Sequence, residues 1–305
     1  MEKIKITFLG TSQAIPTATR NHTSILLSYK NENILIDCGE GTQRQFRKAN
    51  INPCKTTRLL ITHWHGDHVL GIPGFFQTLA LNNYSKILHV YGPKGTKKFI
   101  KEILKIFIKK NKINVKVDEV NGRFFENNDF ILESIALEHG IPSNGYAFNE
   151  KDKLRINKNK LSKILRGKKL TFNDHKKFGN LIKGKNIKIN GKTIKFRDLT
   201  YTQKGRKLSF VFDTKYCKNA IKIAKNSDLS IVESTYSKKE KNLAEKYKHL
   251  TSYQAAQIAK QAKTKMLVLT HISQRHEYKE NILLKEAKKI FQQTKIAKDF
   301  MIVEV

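Results

Sequence analysis

Residues 61–70 read ITHWHGDHVL and carry on from the strand-like run RLLIT (58–62), whose last two residues they share. Within six positions stand His63, His65, Asp67 and His68, in the spacing H-x-H-x-D-H. A loop leaving a strand can turn several side chains toward one point, and Gly66 relieves crowding inside the turn. Imidazole and carboxylate suit Zn²⁺, which takes nitrogen, oxygen or sulfur ligands at about 2.0–2.2 Å. One ion cannot take all four groups from one short loop at sensible angles. Two ions about 3.5–4 Å apart can. A lone loop histidine is more often a packing residue, but four ligand types in one turn outweigh that reading.

Working outward, the missing ligands should end other strands. His139 ends ILESIALEHG, Asp213 ends KLSFVFDT and His271 ends KMLVLTH, so each polar group terminates an apolar run. His22, His89, His175 and His276 read as ordinary residues by position, His89 lying inside a strand and His175 inside a basic stretch. Cys38, Cys54 and Cys217 are far apart and form no CxxC pair. Neither a disulfide framework nor a thiolate zinc site is indicated, and a reducing cytoplasm is the expected location. No run reaches the ~18 apolar residues of a spanning helix, and MEKIKITFLG enters a strand at once, so neither membrane segment nor signal peptide is expected.

β-like runs occur at 4–9, 24–29, 33–37, 58–62, 87–91, 130–137, 207–213, 229–234 and 265–271. Amphipathic helices are expected between several of them. GTKKFIKEILKIFIKK places Phe99, Ile103 and Phe107 on one stripe, TSYQAAQIAKQAK opens on Thr251 as N-cap, and ENILLKEAKKIFQQ is a third. GIPGFFQTLAL reads as a core helix; base stacking by Phe75 and Phe76 is the alternative. The whole implies an α/β chain with helices packed on sheets.

Charge is the strongest global signal: 59 Lys plus Arg against 26 Asp plus Glu, a net +33. Such a surface attracts polyanions. A/T-biased codons would also enrich lysine, but evenly along the chain. Residues 151–197 instead carry 17 Lys or Arg and only two acids, Asp152 and Asp174. They read as a basic insertion contacting a polyanion, against the alternative of a solvated lysine-rich loop.

The histidine loop resembles the signature of the metallo-β-lactamase fold. FLGTSQAIPTATRNHTSILL, DCGEGTQRQ, HWHGDHVLGIPGFFQTLAL, YGPKGTKKFI, IPSNGYAF, FDT, VESTY, HLTSYQAAQIA and LTHISQR, in that order over residues 4–276, are together similar to the short-form ribonuclease Z family of tRNA 3′-processing endoribonucleases. That resemblance implies an αββα four-layer sandwich, one catalytic domain over 1–305, with a projecting tRNA-binding arm at 150–197. It implies two zinc ions per subunit, one held by His63, His65 and His139, the other by Asp67, His68 and His271, with Asp213 bridging. A water shared by the two cations would attack the phosphodiester, Asp67 accepting its proton. His249, oriented by Glu233, would protonate the leaving 3′-oxygen, giving a 3′-hydroxyl on the tRNA and a 5′-phosphate on the trailer. Precursor tRNA and a second copy of the chain are the implied partners, the arm acting across the dimer.

Arg20, Asn21, Lys183, Lys185 and Arg275 are the candidate RNA contacts, although Arg20 and Asn21 could equally form a turn held by backbone hydrogen bonds. The chain departs from the family pattern twice. The arm lacks a Gly-Pro pair, and Phe212 stands where a glycine often precedes the aspartate. A general phosphodiesterase whose lysines are codon drift is the competing enzymatic reading. An inactive RNA binder is a third, opposed by the presence of all seven candidate ligands.

Overall fold

The apolar runs form strands, trimmed where the chain must leave the ladder to deliver a polar side chain. Thus 58–62 is extended only over Arg58–Leu60, and 207–213 only over Lys207–Val211. The structure, a computed structural model, describes residues 2–109, 112–165, 178–189 and 192–305. His175 lies outside the described residues, as does part of 150–197.

Two seven-stranded sheets organise the described chain. The first runs, edge to edge, Ile302–Glu304, Ile4–Gly10, Ser24–Tyr29, Glu32–Ile36, Arg58–Leu60, Ile87–Gly92 and Asn114–Glu119. The second runs Thr294–Ile296, Met266–Thr270, Leu229–Glu233, Lys207–Val211, Ser143–Glu150, Phe130–Leu137 and Gly122–Glu126. Glu32–Ile36, Arg58–Leu60 and Ile87–Gly92 are parallel neighbours, as are Lys207–Val211, Leu229–Glu233 and Met266–Thr270. In each trio the carboxyl ends share one edge, and the residues just beyond those ends come together.

Both faces of each sheet are covered, which is why the strands read as nearly continuous apolar runs and not as alternating ones. On the outer face of the first sheet Leu26, Leu35, Leu59 and Val90 pack with Phe46, Phe75, Phe76 and Ile100 from helices Thr42–Lys48, Ile72–Leu81 and Thr96–Phe107. Val211, Val232, Leu267 and Leu269 of the second sheet pack with Ala220, Ile223, Ala255 and Ala259 from helices Lys218–Ala224 and Ser252–Gln261. Between the sheets, the Tyr29 and Phe148 rings meet edge to face at 5.4 Å. The Tyr146 hydroxyl donates to the Ile61 carbonyl at 2.7 Å. Helix, sheet, sheet, helix is the four-layer order expected.

Three details of the helices sharpen or correct the reading. Phe75 and Phe76 are fully buried, so GIPGFFQTLAL is core and neither ring is available for stacking on a base. The stripe on Thr96–Phe107 is displaced by about one residue from 99/103/107. Ile100 is fully buried while Phe99 and Phe107 are 42% and 45% exposed. The period was right and the phase wrong: Phe99 turns aside to lie against Trp64, ring centroids 4.7 Å apart. Helix Ser252–Gln261 does open on Thr251, with the reciprocal Thr251–Gln254 capping box.

The chain divides into two compact units, Met1–Glu126 with Ile131–Phe148 and Lys207–Val305, and Asn127–Phe130 with Asn149–Arg206. The second unit contains the antiparallel pairs Lys153–Ile156 with Thr200–Gln203 and Ile187–Ile189 with Lys192–Ile194. Its own small core gathers Phe178, Leu181, Ile187, Ile194 and Leu199. Among the described residues no helix is long and apolar enough to cross a membrane.

Candidate metal centre

The site forms where both parallel trios end. Asp37 follows Glu32–Ile36, His63 follows Arg58–Leu60, Asp213 follows Lys207–Val211, and His271 follows Met266–Thr270. Asp37, Asp213 and His271 have φ of 57°, 30° and 57°, a left-handed region that non-glycine residues rarely enter. Each costs of order 1 kcal/mol or more and persists because its surroundings over-determine it. Such a reversal swings a side chain out of the strand's alternation and over the sheet edge. Glycines let the loops close together. A Cβ on Gly39 would lie 2.3 Å from the Asp67 carbonyl oxygen, and one on Gly71 would lie 2.1 Å from that of Gly39. The segment after Asp37 therefore lies against the histidine loop only with glycine at both places.

Seven side chains assemble into two sets that share one residue. In the first, His65 Nδ1 is 3.0 Å from His63 Nε2 and 3.2 Å from His139 Nε2. Asp213 Oδ2 is 3.3 Å from His63 Nε2 and 3.8 Å from His139 Nε2. In the second, His68 Nε2 and His271 Nε2 are 3.0 Å apart, with Asp67 Oδ2 at 3.5 Å and 3.3 Å from them. Asp213 Oδ1 lies 3.4 Å from His68 Nε2 and 3.2 Å from His271 Nε2. A tetrahedron of ligands about 2.0–2.1 Å from an ion has edges of roughly 3.3–3.4 Å. Both sets approximate that figure, and Asp213 contributes one oxygen to each.

Tautomers follow from what the outer ring nitrogens touch. The Thr62 hydroxyl donates to Asp37 Oδ2 at 2.7 Å, so at 3.1 Å it accepts from His63 Nδ1. His68 Nδ1 donates to Asp37 Oδ2 at 2.6 Å, and His139 Nδ1 to the Lys248 carbonyl at 3.0 Å. Thr235 gives its proton to Glu233 Oε2 at 2.6 Å and accepts from His271 Nδ1 at 3.1 Å. Four Nε2 lone pairs thus converge with no proton between them, beside a buried Asp213 Oδ1 that has no hydrogen-bond partner. Only positive charge satisfies that arrangement, so the residues present fit a pair of cations.

The electrostatics agree. Burial, then His68, keeps His63 neutral, and burial, then His139, does so for His65. Burial also disfavours charge on His68, but Asp67, Asp213 and Asp37 outweigh it and draw positive charge to the ring; a divalent ion meets the same demand. Burial opposes ionisation of Asp213, yet His271, His68 and His63 hold it well below the usual carboxylate range.

His249 and Glu233 form a separate pair beside both sets, the His249 ring 5.2 Å from that of His139 and 5.6 Å from that of His271. His249 Nδ1 is 3.1 Å from each Glu233 oxygen and 3.8 Å from Asp213 Oδ2. Burial lowers the His249 pKa, but Glu233 and Asp213 prevail and push it up to about 9. Through Thr235, Glu233 also holds His271, and its Oε1 accepts the Thr214 N–H at 2.8 Å. His65, Asp67, His139, Asp213 and His249 open onto a cleft of about 610 Å³, rimmed by Leu70, Tyr236, Tyr247 and Arg275.

Comparison with known proteins then decides the family. The chain is 38% identical over 304 residues, 99% of its length and 97% of the relative's, to a ribonuclease Z of Methanothermobacter thermautotrophicus. The chain belongs to the ribonuclease Z family. A ribonuclease Z of Enterococcus faecalis is 36% identical over 99% of the chain and 97% of its own. The crystal structure of the short form of human tRNase Z superposes with a TM-score of 0.70 at 26% identity, over 98% of both chains. Residues 4–151 also match the profile of another family, the Anti-Pycsar protein Apyc1. As a ribonuclease Z family member the chain is an endoribonuclease, a hydrolase of phosphodiester bonds.

The other candidates fall out differently within this ribonuclease Z fold. Arg20 is 4% exposed, its guanidinium bonded to the Thr11 hydroxyl, the Ala297 carbonyl and Glu280. Asn21 is held through Asp299 and the Glu40 carbonyl. Backbone bonds also close the turn of the alternative reading, Thr17 N–H to the Arg20 carbonyl at 2.8 Å and Thr11 N–H to that of Asn21 at 2.9 Å, and the buried Arg20 charge is taken up inside the protein. Arg275 is exposed at the cleft, while Lys183 and Lys185 are exposed on the second unit, in a turn closed on the Asn180 carbonyl. Phe212 is fully buried and leaves both Asp213 oxygens facing the histidines. Asp37, Thr62 and Thr235 were missed, because a residue that orients a ligand has no spacing of its own to betray it.

Proposed function

We propose that the chain is a zinc-dependent endoribonuclease that removes 3′ trailers from precursor tRNA. The product would be a tRNA 3′-hydroxyl and a trailer 5′-phosphate. Family membership supports the reaction class. The observation that carries the metal reading is Asp213, whose two oxygens each complete one set of convergent histidine lone pairs. His63, His65 and His139 would hold one ion and Asp67, His68 and His271 the other, with Asp213 between them. Bound there, the ions would supply Lewis acidity to the phosphodiester and lower the pKa of an attacking water.

The chain's own groups do the rest. Asp67 accepts the water's proton at the cleft wall. His249, its Nδ1 directed at Glu233, gives a proton from Nε2 to the departing 3′-oxygen as the P–O3′ bond breaks. Arg275 pairs with phosphate oxygens at the rim, since a guanidinium can address two at once. Residues 150–197, with Lys183 and Lys185, neutralise phosphates along a tRNA stem, acting as an arm that reaches the site of a second copy in a cytoplasmic homodimer.

The test is incubation with a precursor tRNA and mapping of the cut to the nucleotide, with and without chelator. A single cut at the trailer boundary, lost on chelation and restored by Zn²⁺, is the expected outcome. Scattered cuts, or cutting indifferent to chelator, overturn it. The competing enzymatic reading, a general phosphodiesterase whose lysines are codon drift, would act on small phosphodiesters. Deleting 151–197 separates the two: the tRNA reading requires tRNA cleavage to fall far more than hydrolysis of a small chromogenic diester, and equal losses favour the second.

A further inference from the structure

The segment 11–22 is tied to the second set at two places, beside His271 and at Asp67, without offering it a ligand. Gln13 N–H donates to the Ile272 carbonyl at 3.1 Å and Ile272 N–H to that of Thr11 at 2.9 Å, fastening the segment beside His271. At its turn, Ala14 N–H donates to Asp67 Oδ2 at 2.8 Å. That is the oxygen facing His271 and His68, so this bond selects which oxygen of Asp67 joins the second set. Ala14 reaches it with φ of 42°, a left-handed conformation an alanine avoids.

Something must hold Ala14 there. His22 Nε2 lies 3.0 Å from the Ala14 carbonyl, donating to it across the loop, and the ring is buried at 6% exposure with its Cβ over Gly39. From below, Arg20 is pinned by Thr11, Ala297 and Glu280. Asn21 N–H is held by Asp299, which also accepts from Thr11 and Gln45. The base of the loop is thus rigid, and the His22 bond transmits that rigidity to its strained tip.

We propose that His22 is a positioning residue for Asp67: by holding the Ala14 carbonyl it keeps residue 14 left-handed and its N–H on the carboxylate of the second metal set. This rests on the two-ion reading above. Without the His22 N–H, Ala14 relaxes to negative φ and its amide leaves Asp67. Residues that orient metal ligands through such contacts typically change affinity or activity about 10–100-fold. A bond one step further out should sit at the lower end, about tenfold.

The test titrates Zn²⁺ against a competing chelator and follows precursor cleavage in wild type, His22→Leu, His22→Gln and His22→Ala/Ala14→Gly. Expected is a roughly tenfold weaker second equivalent in His22→Leu, with the first equivalent and the thermal midpoint little changed. His22→Gln, which can still donate to the carbonyl, should recover most of the loss. His22→Ala/Ala14→Gly should recover part of it, because glycine enters the left-handed region without help. A merely space-filling role for His22 would give neither rescue. If His22→Leu does not fold, His22→Ala with and without Ala14→Gly carries the same comparison. Wild-type protein binding two equivalents, with His22→Leu binding both equally tightly, overturns the proposal alone. Wild-type protein that binds no metal overturns the two-ion reading and this inference with it.

Discussion

At the scale of single residues, the site's design is a division between the convergent groups that could hold metal and the groups that hold those groups. Asp37 makes the second kind of contribution in concentrated form. It is fully buried, takes the His68 N–H at 2.6 Å, and accepts the backbone and hydroxyl of Thr62, which in turn orients His63. One carboxylate therefore sets a ring in each metal set. Asp37→Asn keeps the shape but puts an amide donor where acceptors are needed, and it withdraws the charge that raises the basicity of His68. We expect Zn²⁺ affinity to fall about 10–100-fold, with the second equivalent most affected, in a chelator-competition titration. Unchanged affinity would mean His68 is oriented by packing alone. Asp213→Ala is the harsher case. Loss of the group common to both sets should abolish binding of the pair and with it cleavage.

At the scale of elements, helix Thr96–Phe107 gives a sharp energetic contrast between adjacent positions. Ile100 is fully buried in the core under the first sheet, whereas Phe99 is 42% exposed. Ile100→Ala should cost about 2–4 kcal/mol by chemical denaturation, and Phe99→Ala under about 1.5 kcal/mol. The reverse ranking would restore the stripe read from the sequence. That error is instructive. Helical period is visible in sequence, but a stripe of Phe, Ile and Leu at 99, 100, 103, 104, 106 and 107 fits several phases, and only the sheet and helix it packs against choose among them. Ser24–Tyr29 and Leu229–Glu233 were legible because their burial takes the form of unbroken apolar runs, whereas Ser143–Glu150, sequence SNGYAFNE, is mostly buried but was not, because Ser, Asn and Gly interrupt it. Asn114–Glu119, sequence NVKVDE, and Gly122–Glu126, sequence GRFFE, were not, because edge strands carry charge on their open side. The convergence of the candidate metal ligands was legible for a related reason. His139, Asp213 and His271 are the polar residues that end apolar strands, whereas Thr62 and Thr235 look like ordinary strand-end threonines until their partners are seen.

At the scale of the whole molecule, a net +33 must express itself in how the protein meets a polyanion, and the salt dependence of binding measures how. Each phosphate neutralised on nucleic acid releases condensed counterion, so log affinity falls against log salt by about 0.7–0.9 per contact. If lysine excess is only codon drift, its charges are spread over the surface and few of them are held against phosphate together. If residues 150–197 are the RNA-contacting arm, much of the slope resides there, for residues 151–197 carry only two acids to offset their bases. Lys183 and Lys185 are exposed around the left-handed Gly184 (φ 75°), so the pair can be removed without disturbing the small core at Phe178, Leu181 and Ile187. In filter binding of precursor tRNA between about 50 and 200 mM salt, Lys183→Ala/Lys185→Ala should flatten the slope by about 1.4–1.8 if both side chains touch phosphate. An unaltered slope with unaltered affinity would remove these lysines from the interface and return the excess charge to drift.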